Sequence, residues 1–316
     1  MSADLRIGVM VDASAPGGGS ASVEQLVGQV AARANDGLSS AWFANVFGVD
    51  ALTVVAVAGR AVPGIELGPA VMPIYTRHPQ AMAQQALTTQ AAIQGRLALG
   101  IGLSHQVVVE QRWGMSFERP VEYMREYLAI LLPLLRGESV SYSGERLRCE
   151  GQLTVPGAAP PPVLLAALGP RMLRLAGAQT DGTLSWMAGP RTIGSHIAPL
   201  LNAAADEAGR GRPRVVVGLP LCVTDDIDSG RARAARIYER YGQLPSYRAM
   251  LDREGAAGPA DVSIVGSETE VERQFAALES AGATDIYASV FGSAEQKERG
   301  YALLRSMVAH GRVSPV

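Results

Sequence analysis

The sequence predicts an α/β protein, and within that class it favours a (β/α)8 TIM barrel. Strand-like and helix-like segments alternate almost from end to end of the 316-residue chain, and eight segments are strand-like. A doubly wound parallel sheet shows the same alternation, so it stays open as the second architecture. The count of eight and the even composition of the two halves favour the barrel.

Eight short apolar runs are predicted to be strands of a parallel sheet, buried on both faces. They are residues 5–11, 39–45, 64–72, 96–102, 163–168, 181–187, 214–223 and 283–291. The segments between them carry apolar residues at helical spacing. After Gly137 the alternation is interrupted, because residues 138–160 alternate polar and apolar side chains around Ser143 and Gly144. This pattern predicts a β-hairpin inserted into one domain that spans residues 1–316.

Composition excludes several classes of protein. The chain is 47% hydrophobic and 18% charged, which suits a globular protein with a large core. A net charge of −2 argues against nucleic acid as the main partner, and no apolar run approaches the roughly 20 residues of a membrane span. Cys149 and Cys222 are the only cysteines and lie far apart, so we expect no disulfide, no metal site and a cytoplasmic location.

The fourth predicted strand ends in the stretch GIGLSH, which contains Gly100, Gly102, Ser104 and His105. It fails as a dinucleotide fingerprint, because His105 stands where a third glycine is needed and the strand is not the first. In a barrel, residues just past a strand end line the active-site face. The glycines would then admit a flat ligand, with Ser104 and His105 beside it. A tight turn with a surface histidine is the alternative.

The end of the third predicted strand carries Met72 and Pro73. Proline cannot donate to the strand ladder, so we expect a bend there, with a cis or strained peptide that supports a flat ring. The alternative is a simple strand stop followed by a helix that His78 caps.

Two further strand ends have the composition of anion sites. Gly169, Pro170 and Arg171 follow the fifth strand, and a helix opens at Pro170, so free backbone N–H groups and the helix dipole suit a phosphate. Trp186 and Gly189 belong to a similar loop after the sixth strand, SWMAGPR. The alternative at both loops is a proline-initiated helix with solvated arginines.

Nucleophile and metal motifs are missing, since the sequence has no G-x-S-x-G, no H-E-x-x-H and no cysteine pair. A site with flat-ring and phosphate features but no acid–base cluster indicates that a bound cofactor supplies the chemistry.

The ordered motifs resemble those of the luciferase-like monooxygenase superfamily. They are RHP before GRLALGIG, then WGMSFERP, LGPRMLRLAG and VGSETEVERQFAALESAGATD. The likeness covers nearly the whole chain and is greatest to the actinobacterial branch that uses the deazaflavin coenzyme F420. It implies a bacterial-luciferase-like barrel with insertions after the fourth strand, at about 106–120 and 138–160.

The resemblance also implies roles for single residues. Met72 and Pro73 would back the deazaflavin ring, while Gly102, Ser104 and His105 would line it. The remaining cofactor contacts would be Gly169, Pro170, Arg171, Trp186 and Gly189. Many relatives have an acidic residue or a histidine at the end of the second strand, where this chain has Asn45. A neutral amide cannot act as a charged base, so Asn45 would orient the substrate and His105 would lie nearest the reacting carbon.

We therefore expect an F420-dependent oxidoreductase that transfers hydride to or from a small organic substrate and acts as a homodimer, without nucleic acid or membrane partners. An FMN-dependent monooxygenase that uses reduced flavin, O2 and a separate reductase is the alternative enzyme. A barrel that binds flavin or a metabolite without turnover is the alternative of another class. The anionic tail of F420 would need cations, for which Arg77, Arg112, Arg171 and Arg191 are candidates. Glu110 and Arg119 also match positions of the family, and a structural salt bridge explains them at least as well.

Overall fold

A computed structural model describes residues 5–14 and 19–309 of the chain. Its strands are β1 (Arg6–Met10), β2 (Ser40–Phe43), β3 (Glu66–Pro69), β4 (Met72–Pro73), β5 (Leu99–Gly102), β6 (Val140–Ser143), β7 (Arg148–Gly151), β8 (Val163–Leu165), β9 (Gly182–Trp186), β10 (Arg214–Val223), β11 (Ile264–Gly266) and β12 (Asp285–Val290). Each of the eight runs predicted as strands contains at least one of them.

The helices alternate with these strands. They are α1 (Val23–Asn35), α2 (Ala51–Ala61), α3 (Pro79–Ala92), α4 (Pro120–Leu135), α5 (Pro170–Gln179), α6 (Pro190–Thr192), α7 (Ala198–Glu207), α8 (Ile227–Gln243), α9 (Pro245–Glu254), α10 (Pro259–Val262), α11 (Glu268–Ser280) and α12 (Ala294–Met307). Single π-helical turns lie at Val108–Arg112 and Ile193–Ile197.

The sheet is parallel and closes into a barrel. Its strands follow one another in the order β3-β2-β1-β12-β10-β9-β8-β5-β4, with β11 beside β10. β3 and β4 are separated by only two residues and together form one position of the barrel. The nine strands in this order therefore fill eight positions around the barrel. A bridge between Leu67 and Leu97 closes the circle, with hydrogen bonds of 2.9 Å from Leu67 N to Arg96 O and from Ala98 N to Leu67 O. The predicted (β/α)8 barrel is confirmed, and the doubly wound sheet is excluded.

The predicted insertions follow β5 and contain local structure of their own. Residues 106–120 include the first π-helical turn, and residues 138–160 include the antiparallel hairpin of β6 and β7. The hairpin is held against α4 by Glu126, whose carboxylate accepts hydrogen bonds of 3.0, 3.0 and 2.9 Å from the backbone N–H groups of Glu145, Arg146 and Leu147.

Side chains fill the barrel in layers, so it is a packed core rather than a pore. At the amino-terminal ends of the strands, Arg214 bridges Glu66, at 2.8 Å, and Asp285, and Arg6 joins the same two carboxylates. Above this charged layer lies an apolar one of Trp42, Ala98, Leu164, Leu184, Val216 and Tyr287. Met10, Ala70, Val71 and Trp186 pack on top and remain partly accessible. The accessible end of the interior is therefore the carboxyl end of the strands, where barrel enzymes have their sites.

Candidate active site at the barrel mouth

The glycines of β5 allow neighbouring chain segments to approach closely. A Cβ atom on Gly100 would lie 2.1 Å from the carbonyl oxygen of Pro69. A Cβ atom on Gly102 would lie 2.7 Å from Val71 Cγ2 and 3.1 Å from Ala166 Cβ. The inner face of Gly102 is thus covered by side chains of the protein. A flat ligand at the mouth would contact Val71 and Ala166 rather than the glycine backbone.

The run between β3 and β4 has its cis peptide bond between Ala70 and Val71. The cis bond thus lies near Met72 and Pro73, as expected, two residues before the Met72–Pro73 bond. Met72 is fully buried in the core between the barrel and its helices, and Pro73 is also buried. Ala70 and Val71, just before β4, pack on the apolar layer inside the barrel and remain partly accessible, so this run presents them to the mouth, with Met72 and Pro73 buried behind them.

Ser104 and His105 follow β5 as expected. Ser104 has φ +64°, a left-handed conformation that is uncommon for residues other than glycine. The His105 ring is partly buried and lies 5.4 Å, between ring centroids, from Tyr247. Burial lowers the pKa of His105 below its ordinary value of 6.5. The ring is consequently neutral at pH 7 and able to accept a proton.

The helix opened by Pro170 provides one of the two predicted anion sites. Gly169 is its N-cap residue in an extended conformation, and no side chain caps the helix. The N–H groups of the first turn therefore remain suited to an anion. Arg171 is 65% exposed and forms an ion pair with Glu122 of α4, so this arginine is engaged on the outer surface.

The second predicted anion site is filled by the protein itself. The Glu254 carboxylate, at the end of α9, accepts hydrogen bonds from Arg191 N at 3.0 Å and Thr192 N at 2.7 Å. A Cβ atom on Gly189 would lie 2.5 Å from the Glu254 carboxyl carbon. An internal carboxylate thus occupies the helix N-terminus at which the sequence predicts a phosphate.

Asn45 lies beside the mouth but already has a structural role. Its Oδ1 accepts a hydrogen bond of 2.9 Å from Ala51 N at the start of α2. Arg77, one of the cations expected for a cofactor tail, forms an ion pair with Asp50. The amide nitrogen of Asn45 is the part of this side chain that can donate to a substrate.

Two other charged residues have different partners from those the sequence suggested. Arg119 pairs with Glu145 of the hairpin at 2.6 Å, and Gln106 Nε2 donates to Glu110 Oε1 at 3.1 Å. Arg112 lies over the ring of Phe47, 3.4 Å from its centroid. The expected salt bridges at Glu110 and Arg119 are thus confirmed for Arg119 alone, with Glu145 as its partner.

Sequence reasoning missed an aromatic cluster at the mouth. Trp186 stacks on Tyr287, with centroids 6.2 Å apart, and meets the rings of Tyr238 and Tyr241 edge-on at 6.1 and 5.9 Å. Tyr241 in turn contacts Tyr247 at 5.3 Å. The sequence signal that could have revealed this cluster is the recurrence of tyrosine in α8 and α9. Tyrosines in a helix on the protein surface have no partner that the sequence alone identifies. Only the packing of these helices over β9 brings the rings together.

Within residues 5–14 and 19–309, no cluster of histidine, cysteine, aspartate or glutamate has the geometry to hold a metal ion. Over the same ranges, no helix is long and apolar enough to cross a membrane.

Comparison with known proteins gives a consistent result. The family model of luciferase-like monooxygenases matches residues 5–296. The chain is 30% identical to a putative coenzyme F420-dependent oxidoreductase of Mycobacterium tuberculosis, across 84% of this chain and 90% of that protein.

Solved structures share the same fold. The coenzyme F420-dependent tetrahydromethanopterin reductase of Methanopyrus kandleri superposes with a TM-score of 0.78 at 21% identity, over 98% of this chain and 99% of that one. The oxygenating constituent of 3,6-diketocamphane monooxygenase from Pseudomonas putida, in complex with FMN, gives 0.72 at 17% identity over 96% and 97%. With the family model matched along most of its length, this chain belongs to the luciferase-like monooxygenase family.

Proposed function

We propose that the protein is an oxidoreductase that uses coenzyme F420 and transfers a hydride between the deazaflavin and a small organic substrate. The observation that carries the proposal is the uncapped N-terminus of α5 at the edge of a mouth lined by small and aromatic side chains. The 30% identity to a putative F420-dependent oxidoreductase over 84% of the chain supports the choice of cofactor.

The mouth has the features that such a cofactor needs. The N–H groups after Gly169 and Pro170 suit its phosphate, with Arg171 close by in sequence. Ala70 and Val71 remain partly accessible on the apolar layer inside the barrel, so they would form the surface against which the flat ring lies. We assign the phosphate to α5 rather than to the loop of Gly189, because Glu254 already accepts hydrogen bonds from the N–H groups that follow Gly189.

A bound deazaflavin would accept or supply the hydride at its C5, and the protein would handle the proton. In alcohol oxidation, the substrate loses a hydride from carbon and a proton from oxygen, and a carbonyl group results. His105 is the proposed acceptor of that proton, because its ring is neutral and lies at the mouth. Ser104 and the amide nitrogen of Asn45 are the proposed donors that orient the substrate oxygen.

An FMN-dependent monooxygenase is the second candidate. The likeness to an FMN-bound oxygenase supports it, and FMN also carries a phosphate that would suit α5. That reaction requires reduced flavin from a separate reductase and O2.

Gly169→Asp tests the cofactor site. Open space surrounds a Cβ atom at Gly169, and aspartate is a favoured N-cap residue, so the fold should be retained. The new carboxylate would occupy the helix N-terminus and repel a phosphate, so the Kd for F420 should rise roughly 5- to 100-fold.

Gly211→Asp is the matched control, since Gly211 also faces open space. The binding of F420 should be followed by fluorescence, and its reduction by a panel of secondary alcohols by absorbance. An unchanged Kd in Gly169→Asp would remove α5 from the site. Failure of the unaltered protein to bind either F420 or FMN would refute the proposed function.

A further inference from the structure

Four partly accessible rings converge on the mouth from separate parts of the chain. His105 follows β5, Trp186 ends β9, and Tyr241 and Tyr247 lie on α8 and α9. Successive contacts link them, at 5.9 Å between Trp186 and Tyr241, 5.3 Å between Tyr241 and Tyr247, and 5.4 Å between Tyr247 and His105. The four rings together form one continuous aromatic surface.

Buried groups hold this surface from behind. Tyr238 contacts Phe291 edge-on at 5.6 Å, and the Tyr238 hydroxyl is hydrogen-bonded to Ser289. Tyr287 lies under Trp186, and its hydroxyl donates to Ser185 O at 3.2 Å. Rings held in this way are already positioned before a ligand arrives, so little entropy is lost on binding.

The surface is uncharged at neutral pH. Burial raises the pKa values of Tyr241 and Tyr247 above 10.0 and lowers that of His105. All three rings are therefore neutral at pH 7.

Several charged side chains around the mouth are already paired within the protein. Lys297 Nζ lies 2.9 Å from Asp12 Oδ2, Arg77 pairs with Asp50, and the Glu254 carboxylate binds the first turn of α6. A charged substrate group packed against the four rings would lose its water, and it could recruit one of these paired side chains as a counter-ion only by breaking the existing pair. Charge is therefore disfavoured in the part of the ligand that lies against the four rings.

We infer that the substrate of this site carries a neutral, planar aromatic ring, which packs against Trp186, Tyr241 and Tyr247 with its reacting group near His105. The inference rests on the proposed function only in taking the bound ring as part of the redox substrate. Aromatic walls add stacking and edge-to-face contacts to ordinary burial, so they discriminate flat rings from saturated ones.

Three probes of similar size test this inference. They are 2-acetylnaphthalene, which is neutral and planar, 6-acetyl-2-naphthoate, which adds a carboxylate, and 2-acetyldecalin, which is neutral but not planar. Calorimetric titration of the full chain should give 2-acetylnaphthalene a Kd at least about 10-fold below those of the other two. Tyr247→Leu keeps an apolar side chain and removes the ring, so it should raise the Kd for 2-acetylnaphthalene about 2- to 10-fold.

Tyr142→Leu on the β6–β7 hairpin is the matched control and should leave that Kd unchanged. The inference would be overturned if 6-acetyl-2-naphthoate or 2-acetyldecalin bound as tightly as 2-acetylnaphthalene or more tightly. It would also be overturned if 2-acetylnaphthalene did not bind, or if Tyr247→Leu left its Kd unchanged. A parallel titration with F420 separates the two claims. If F420 binds but 2-acetylnaphthalene does not bind more tightly than the other two probes, only the inferred substrate class is wrong. If 2-acetylnaphthalene does bind more tightly and neither F420 nor FMN binds, only the proposed function is wrong.

Discussion

Two single side chains decide what the mouth can do chemically. Glu254 supplies an internal anion to α6, so of the two helix N-termini that resemble phosphate sites, only that of α5 is left without a side-chain cap. His105 is neutral because it is partly buried, and a neutral imidazole accepts protons. Each effect depends on the surroundings of the residue rather than on its type.

His105→Ala should lower turnover roughly 10²- to 10⁴-fold, the usual contribution of a general base, and should change the Kd for F420 by less than about threefold. In the unaltered enzyme, kcat/KM for alcohol oxidation should be constant above the pKa of His105, which lies below 6.5, and should fall as the pH drops through it.

Steady-state kinetics between about pH 4 and 8 checks both statements. A loss of turnover below about threefold, or the same pH profile in His105→Ala as in the unaltered enzyme, would show that His105 does not transfer the proton.

Glu254→Ala should destabilise the fold by about 1–3 kcal/mol, because two backbone N–H groups at α6 lose their acceptor. Added inorganic phosphate should restore part of this loss by binding the vacated helix N-terminus. Urea unfolding with phosphate, and with sodium chloride at equal ionic strength, measures the effect. Glu207→Ala, at an exposed helix end, serves as the control, and an equal response of both variants to phosphate would contradict the account.

At the scale of elements, the Glu126 carboxylate joins the β6–β7 hairpin to α4 through three hydrogen bonds. Burial favours the protonated form of Glu126, but three backbone N–H groups and Arg146 favour the ionised form more strongly, and the pKa of Glu126 is lowered. The hairpin is thereby attached to α4.

Glu126→Gln should destabilise the protein by about 1–2 kcal/mol at pH 7, a figure reduced for the solvent exposure of the carboxylate. The folded pKa lies below the unfolded value near 4.5, so this stabilisation is complete above pH 4.5 and is lost as the pH falls through the folded pKa. Urea unfolding at pH 7 and at low pH should show the difference between variant and unaltered protein shrinking with acid. A difference that does not depend on pH would contradict this role.

At the scale of the whole molecule, the barrel follows from local pattern, and the site follows only in part. Apolar runs and helical spacing mark strands and helices without knowledge of their neighbours, so the eight strands could be predicted. Strand ends also indicated His105, Ser104 and Gly169, because the carboxyl end of a barrel is fixed by chain direction. Glu254, by contrast, meets Arg191 from 63 residues further along the chain, and no local pattern encodes that contact. The covering of Gly102 by Val71 and the convergence of the four rings are tertiary contacts of the same kind.

The central claim is that the barrel mouth of this luciferase-like protein is built for F420, and parallel titration of the same protein with F420 and FMN tests it most directly. Both cofactors offer a phosphate to α5, so a difference in affinity reports on how the rest of the mouth fits each cofactor. We expect the Kd for F420 to be at least about 10-fold lower than that for FMN, a difference of about 1.4 kcal/mol. Tighter binding of FMN would contradict the claim and would favour the monooxygenase.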